Sequence, residues 1–403
     1  MWHFLWLNRA LNILYKSIDI SKVTVANRKN IILLIRSLGL GGAERQLLLL
    51  AQELSQQHNV VVMTFYDLKE YEVISGQQRN FEHVSLNKSG RWDIVGFLWR
   101  FLREVRRIGP DVIYAFMNTA SIIGLAAKLI QNKKISVVWG VRSSNMNLSL
   151  YGLLPRLFRR FECRLSKYAD LIVSNSFAGR DEATRDGFKD NDFIVIPNGI
   201  DIDKFCYKDE WRRDIRAKLD ISEETFLIGV VARHDPMKGL ECFLEAVALH
   251  LQDFPDTRFV LVGSGAENYS NKLKLKAKEL MIDSNIHWEG KISDVAPYYS
   301  AMDMYTSSSV FGEGFSNTIG EAMSSELPVV VTDVGDARYV VGDLGRIVPP
   351  NNHEAIVKEW GNIKRLSSDE FNDIRKKSRK WISEQYSVEK MVKRTEESLV
   401  SLS

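Results

Sequence analysis

At 403 residues the chain exceeds one ordinary core, and a composition of 45% hydrophobic and 26% charged residues excludes disordered and collagen-like classes. The formal charge is only +3, but residues 1–200 carry 27 basic and 17 acidic groups, net +10, whereas residues 201–403 carry 27 and 34, net −7. Three cysteines without CxxC or metal-type spacing support neither a disulfide framework nor a zinc site and fit a reducing cytosol.

The chain opens with MWHFLWLNRALNILYKS, whose longest apolar run is Phe4–Leu7. That is far short of the ~18 apolar residues of a membrane-spanning helix. A basic start, an unbroken apolar centre and a small-residue cleavage site, the marks of a signal peptide, are missing too. As a helix it sets Asn8, Arg9, Asn12 and Lys16 on one stripe and leaves a wide apolar face carrying Trp2 and Trp6. Two readings stand side by side: an interfacial helix lying on a membrane, or a helix packed on its own domain.

Short β-branched runs then alternate with helical periodicity, the mark of parallel sheets built from βαβ units. The first half offers strands at Asn30–Ile35, Asn59–Phe65, Asp111–Phe116, Ile135–Trp139, Asp170–Ser174 and Phe193–Ile196. From Pro155 a helix places Arg156, Arg159, Arg160, Arg164 and Lys167 on one face, and Leu154, Leu157, Phe158, Phe161 and Leu165 on the other. A solvated basic face is the plain reading. Anionic lipid adds ~1 kcal/mol per basic residue near the surface, and with the Trp2/Trp6 segment the expectation becomes peripheral membrane binding.

A turn at Pro197-Asn198-Gly199 and the polar stretch Lys208–Ser222 mark the domain boundary, which gives residues 1–203 and 204–385 as two similar α/β domains. Strands of the second half are expected at Thr225–Ala232, Arg258–Val262, Asn285–Trp288, Asp303–Thr306, Pro328–Thr332 and Gly345–Val348. Runs such as Ile228–Ala232 are continuously apolar, as in strands covered on both faces. An amphipathic helix with Met391, Val392 and Leu399 closes the chain from Tyr386.

The densest polar cluster follows the strand Asp303–Thr306. It reads Ser307-Ser308-Ser309-Val310-Phe311-Gly312-Glu313-Gly314-Phe315-Ser316-Asn317 and runs into a helix over Thr318–Ser325. Such a loop aims backbone N–H groups and a helix dipole at an anion. Carboxylates beside a phosphate site make sense when they hold neutral hydroxyls, which suits Glu313 and Glu321 to sugar or ribose groups; the plainer alternative is a solvated Glu313 and a Glu321 that only faces the helix dipole, with an anion held by the dipole alone. Arg233 and Lys238, after another strand, are two cations able to neutralise a departing pyrophosphate.

With these pieces in order the chain resembles retaining glycosyltransferase family 4, of GT-B fold. The resemblance rests on Gly39-Leu40-Gly41-Gly42-Ala43-Glu44, Val195-Ile196-Pro197-Asn198-Gly199-Ile200-Asp201, Arg233 with Lys238-Gly239, Leu261-Val262-Gly263-Ser264-Gly265, the Glu313 to Glu321 loop and Thr332-Asp333-Val334-Gly335. It implies two Rossmann-like domains with parallel sheets facing across a cleft, with the last helix, 386–403, crossing back to the first. It implies that Arg233 and Lys238 hold the donor diphosphate and assist its departure, that Glu313 holds donor-sugar hydroxyls and that Glu321 holds the ribose. Backbone N–H groups of Gly314, Phe315, Ser316 and Asn317 would meet sugar or phosphate, Gly41 and Gly42 would close on the phosphate, and the segment with Lys291 would cradle the base. Many relatives carry a histidine facing the sugar; here the strand ends offer Asn118 and Arg142 instead as hydrogen-bond donors to sugar or acceptor.

Other motifs weigh less. Asp201-Ile202-Asp203 matches a metal-binding DxD only formally, neither glycine turn completes GxGxxG, no P-loop occurs, and seven scattered histidines support no metal catalysis. No nucleic-acid motif accompanies the basic face. The expected function is transfer of a sugar from a nucleotide diphosphate donor, a UDP-sugar foremost, with retention and without metal. The expected acceptor is a saccharide, foremost a lipid-linked one, at the cytoplasmic membrane face in bacterial surface-polysaccharide assembly. A sugar-nucleotide epimerase and a non-catalytic nucleotide-sugar binder remain open alternatives.

Overall fold

A computed structural model of the protein describes residues 28–39, 41–67, 80–129, 134–142, 153–189 and 193–402; Trp2, Trp6 and the rest of 1–27 lie outside them. One parallel sheet contains β1 (Asn30–Ile35), β2 (Asn59–Thr64), β3 (Glu82–Ser85), β4 (Val112–Phe116), β5 (Ser136–Val141), β6 (Leu171–Ser174) and β7 (Phe193–Val195), in the order β3-β2-β1-β4-β5-β6-β7. A second contains β8 (Leu227–Val231), β9 (Arg258–Val262), β10 (Ile286–Glu289), β11 (Met304–Ser307), β12 (Val329–Thr332) and β13 (Arg346–Val348), in the order β10-β9-β8-β11-β12-β13. The described helices are α1 (Gly42–Leu54), α2 (Val95–Ile108), α3 (Asn118–Ala126), α4 (Leu153–Ser166), α5 (Phe177–Asp186), α6 (Asp209–Lys218), α7 (Leu240–Asp253), α8 (Glu267–Glu279), α9 (Ala296–Ala301), α10 (Asn317–Ser324), α11 (Ala337–Val341), α12 (His353–Lys364), α13 (Ser368–Tyr386) and α14 (Val388–Val400).

Alternate residues of each strand feed opposite layers, because side chains switch face at every residue. In the first sheet Ile31, Leu33 and Ile35 pack with Leu47 and Leu50 of α1 and with Met391 and Leu399 of α14. Ile32 and Leu34 pack with Phe97, Phe101 and Val105 of α2, Ala120 of α3, Cys163 of α4 and Ala183 of α5. In the second, Ile228 and Val230 meet Phe243 and Trp360, while Leu227 and Val231 lie in the cluster of Tyr299, Ile319, Met323 and Ile382. The C-terminal helix therefore completes the core of the first sheet. Each fully buried side chain such as Leu399 contributes about 1.5–3 kcal/mol there. The two chain crossings between the sheets run together: Ile200 donates its N–H to the carbonyl of Tyr386 (2.7 Å) and accepts from the N–H of Val388 (3.2 Å).

Two sequence expectations are corrected. The first sheet has seven strands where six were read: β3 is the half-buried edge strand Glu-His-Val-Ser, which has no apolar run to betray it. On α4 the buried face is polar. Glu162, Cys163 and Ser166 are buried, whereas Phe158 and Phe161, read as part of the face opposite the basic residues, are 43% and 52% exposed. Arg159, expected on a free basic face, is held by Glu162 (3.0 Å) and Asp186 (2.9 Å) and covers the ring of Phe188. Arg160 and Arg164 are exposed; the side chain of Arg156 lies outside the described residues.

Candidate active site

In each sheet the strand order reverses at one place, between β1 and β4 and between β8 and β11. Chains leaving such neighbouring strands diverge to opposite faces and open a crevice at their carboxyl ends. The loops that leave β8 and β11 carry Arg233, Lys238 and Glu313; those that leave β1 and β4 carry Gly41, Gly42 and Asn118.

After β8, Asp235 accepts the N–H of Met237 (3.1 Å) and caps a short 3-10 turn, Pro236–Lys238. Gly239 then turns into α7 at φ +60°, against the carbonyl oxygen of Ser308, where a Cβ has no room. The hydroxyl of Ser308 donates to the carbonyl of Lys238 (2.9 Å), and the N–H of Val310 donates to that of Met237 (2.8 Å). These bonds lock the two loops side by side. They bring the Lys238 ammonium onto the Glu313 carboxylate, which also accepts the hydroxyl of Ser309 (2.7 Å). Arg233 stands at the rim, 64% exposed, with Asp235 at 2.9 Å. An anion entering here meets one exposed guanidinium paired with Asp235 and one ammonium placed beside Glu313.

The Glu313 loop is shaped from behind. Gly335 sits at φ +61°, and a Cβ there would lie 2.7 Å from the carbonyl oxygen of Gly314 and still nearer that of Glu313. Gly314 in turn approaches the start of α5, where a Cβ would lie 2.9 Å from the hydroxyl of its N-cap, Ser176. Phe315 buries its ring against Tyr386, so only its backbone is left for a ligand. Ser316 stands at the N-cap of α10 without a side-chain capping bond. Lys291, just beyond β10, is exposed and forms no ion pair among the described residues.

Across the crevice Gly42 opens α1 so close to α10 that a Cβ on it would lie 3.0 Å from the Asn317 amide nitrogen. Asn317 accepts from the amide of Asn198 (2.8 Å), Asn198 accepts from Arg142 (3.1 Å), and Arg142 donates to the Tyr114 hydroxyl (2.7 Å) while lying over the Phe116 ring. Arg142 therefore reaches the start of α10 through Asn198. Asn118, expected to face a sugar, donates its amide to Glu162 (2.9 Å), a buried carboxylate whose pKa is raised chiefly by burial and which needs donors. Glu321 is 1% exposed and fully engaged, by the Arg45 guanidinium on one oxygen and the Tyr299 hydroxyl (3.0 Å) on the other. A ribose hydroxyl reaches it in this conformation only by displacing Arg45.

Arg45, Tyr299 and Asp336 complete the site and were not singled out from sequence; Asn198, which joins them, was read only as part of the boundary turn. Asp336 lies in the second domain, yet its carboxylate accepts the N–H groups of Phe177 (2.7 Å) and Ala178 (2.9 Å), donors of the first turn of α5 that have no partner within the helix. Its adjacency to the Gly335 turn was the available signal. A metal was not expected; among the described residues the one group with ligand-like spacing is Cys242, Glu245 and His353, where Lys276 already neutralises Glu245 (2.6 Å).

A family model described as Glycosyltransferase Family 4 matches residues 40–204, and one described as Glycosyl transferases group 1 matches residues 225–365. The chain is 25% identical over 289 residues to the alpha-monoglucosyldiacylglycerol synthase of Acholeplasma laidlawii, a match covering 68% of this chain and 71% of that one. It is 25% identical over 332 residues to the N-acetylgalactosamine-N,N'-diacetylbacillosaminyl-diphospho-undecaprenol 4-alpha-N-acetylgalactosaminyltransferase of Campylobacter jejuni, covering 80% and 86%. Among solved structures, Anabaena Alr3699/HepE in complex with UDP and glucose aligns with a TM-score of 0.80 at 21% identity, over 93% of this chain and 100% of that one. WaaG, a glycosyltransferase involved in lipopolysaccharide biosynthesis, aligns at 0.67 and 18%, over 89% and 97%. At such identities the structural likeness speaks for the fold, two parallel α/β domains facing across a cleft.

Proposed function

Since the chain belongs to glycosyltransferase family 4 and is a GT-B transferase, we propose that it moves a sugar from a nucleotide diphosphate donor, a UDP-sugar, to a lipid-linked saccharide with retention of configuration. The observation that carries this reading is the convergence of Arg233, Lys238, Glu313 and the start of α10 on one switch-point crevice. Donor diphosphate enters between Arg233 and Lys238, and Lys238 exchanges part of its hold on Glu313 for phosphate oxygens. Glu313, still fixed by Ser309, takes hydroxyls of the donor sugar.

In the step itself the bond from the anomeric carbon to the phosphate oxygen breaks, and one to the acceptor oxygen forms on the same face. The acceptor proton passes to the departing phosphate, so no side-chain base is required. Fixed positive charge at the leaving group provides much of the acceleration in such transfers, because it meets the negative charge as it develops. Arg233 and Lys238 supply it, and for this reason we read the reaction as metal-independent. The lipid acceptor is supported by the names of relatives, one an alpha-monoglucosyldiacylglycerol synthase and one named as a transferase for a diphospho-undecaprenol. No described helix is long and apolar enough to cross a membrane. We place the enzyme as a peripheral protein on the cytoplasmic face, in bacterial surface-polysaccharide assembly.

A thermal-shift panel of UDP-, GDP-, ADP- and CDP-sugars tests the donor, because a ligand at 100 times its Kd adds about 2.7 kcal/mol of stability. The responding donor is then incubated with and without a lipid-linked acceptor and the product anomer read by NMR. An inverted anomer overturns retention. Conversion of the donor sugar without any acceptor indicates an epimerase.

A further inference from the structure

Of the twelve large apolar side chains exposed among the described residues, eight fall within residues 92–168, Trp92, Val95, Trp99, Phe158, Phe161 and Tyr168 among them. Helices α2, α3 and α4 form a single layer, since all three pack on the Ile32/Leu34 side of the first sheet. One face of one domain thus carries most of the unburied aromatic surface.

The cleft-side end of that layer is the most apolar. Helix α2 buries Phe97, Phe101 and Val105 and turns Val95 and Trp99 outward, 83% and 61% exposed, next to Trp92 at 86%. Arg103 lies over the Trp99 ring at 4.9 Å. Rings with an apolar body and a polar edge, flanked by cations, are the composition of a membrane interface. Beside them a pocket of about 180 Å³ opens among Phe65, Phe97, Leu98 and Ile123, with Arg36 and Lys88 in its wall. Both cations lie near the Tyr66 ring, at 5.6 and 5.9 Å, and among the described residues neither forms an ion pair with a carboxylate. Arg36 follows β1 and Lys88 follows β3, so the pocket lies at the carboxyl edge of the sheet, where the crevice opens.

We propose that this pocket seats the lipid end of the acceptor: a single isoprenoid chain enters between Phe97 and Ile123, and its diphosphate lies between Arg36 and Lys88. Trp92, Val95 and Trp99 rest in the bilayer that delivers it. The pocket is below the ~300 Å³ lower end of whole small-molecule sites. It therefore holds the first carbons of one chain and leaves no room for the paired chains of a diacyl lipid. Two cations that meet no carboxylate among the described residues match a diphosphate better than a monoester, and Lys88, whose ammonium now donates to the carbonyl of Gly90, would turn it toward the phosphate. This inference rests on the lipid-linked acceptor proposed above.

The probe is farnesyl diphosphate, with Kd measured calorimetrically for the full chain, against inorganic pyrophosphate, farnesol and short-chain phosphatidic acid. Farnesyl diphosphate is expected to bind tightest. Arg36→Ala/Lys88→Ala should weaken it by about tenfold or more, and Ile123→Trp, which fills the apolar part and leaves both cations in place, should weaken farnesyl diphosphate but not pyrophosphate. Binding unchanged in both variants, or phosphatidic acid bound as well as farnesyl diphosphate, overturns the assignment. UDP-induced stabilisation, followed in the same variants, should be retained; its absence from the wild type counts against the donor reading and leaves the pocket result standing.

Discussion

Arg45 of α1 and Glu321 of α10 form an ion pair between the two domains, with Tyr299 closing the second carboxylate oxygen at 3.0 Å. The carboxylate is 1% exposed and the guanidinium 41%, so the pair is solvated from one side only. Removing one partner of a fully buried pair costs about 3–5 kcal/mol; partial exposure lowers the expectation for Arg45→Ala to about 1–3 kcal/mol, measured by urea denaturation. The same variant should gain more stability from UDP than the wild type does, because ribose hydroxyls no longer compete with the guanidinium for Glu321. Equal UDP shifts in the two proteins would mean that the ribose does not reach Glu321.

The leaving-group cations differ in what surrounds them, and their variants should differ accordingly. Arg233 is 64% exposed at the rim, so Arg233→Ala should melt close to the wild type while losing about 10²–10³ in turnover. Lys238→Ala should lose as much activity and also loosen the loop, since Glu313 keeps its bond from Ser309 but loses the ammonium that neutralises it. Glu313→Gln preserves the shape and the bond from Ser309, and its deficit should show in turnover with the nucleotide alone still bound. Turnover within about threefold of wild type in all three removes the crevice from the chemistry.

What the chain discloses in one dimension depends on how far apart the interacting residues are. The strands could be read because burial on both faces leaves runs such as Ile228–Val231 apolar throughout; β3, half-buried at an edge, leaves no such trace. Arg233, Lys238 and Glu313 could be read because each stands in a short loop after a strand. Arg45 and Glu321 are 276 positions apart, and Asn198 and Asn317 are 119 apart, so nothing local marks them as partners. On α4 periodicity puts Arg160 and Arg164 on an outer basic face, where they lie, but does not single out the stripe of Glu162, Cys163 and Ser166 that is buried. Glu162 and Arg159 neutralise each other inside, which lets a polar face be buried and leaves Phe158 and Phe161 outside.

Gly335 offers a test of loop placement that touches no ligand-binding group. Its φ of +61° disfavours any side chain, and a Cβ would collide with two backbone carbonyls of the Glu313 loop, which cannot swing aside as a side chain would. Gly335→Ala should cost about 1–3 kcal/mol of stability and reduce turnover by displacing Glu313 from Lys238. If thermal stability falls and turnover per folded molecule is unchanged, the loop position is not limiting.

Asp336 makes the stability of the protein depend on pH in a direction opposite to that of most carboxylates. Burial pushes its pKa up to about 6, offset in part by the N–H groups of Ala178 and Phe177. The ordinary value lies near 3.9, so the folded protein binds this proton more tightly than the unfolded chain does. The associated stability is complete below about pH 4 and lost as pH rises through about 6, an amount of about 2–3 kcal/mol for a group 2% exposed. His250 works the other way over part of the same range. Burial, then Lys364 and Arg365, lowers its pKa to about 4, so its contribution is present above about pH 6.5 and lost on acidification. The difference between wild type and Asp336→Asn isolates the carboxylate, because His250 is common to both. Urea midpoints should favour the wild type more at about pH 4.5 than at about pH 7.5; a difference independent of pH would show that the bonds to the start of α5 hold Asp336 ionised throughout.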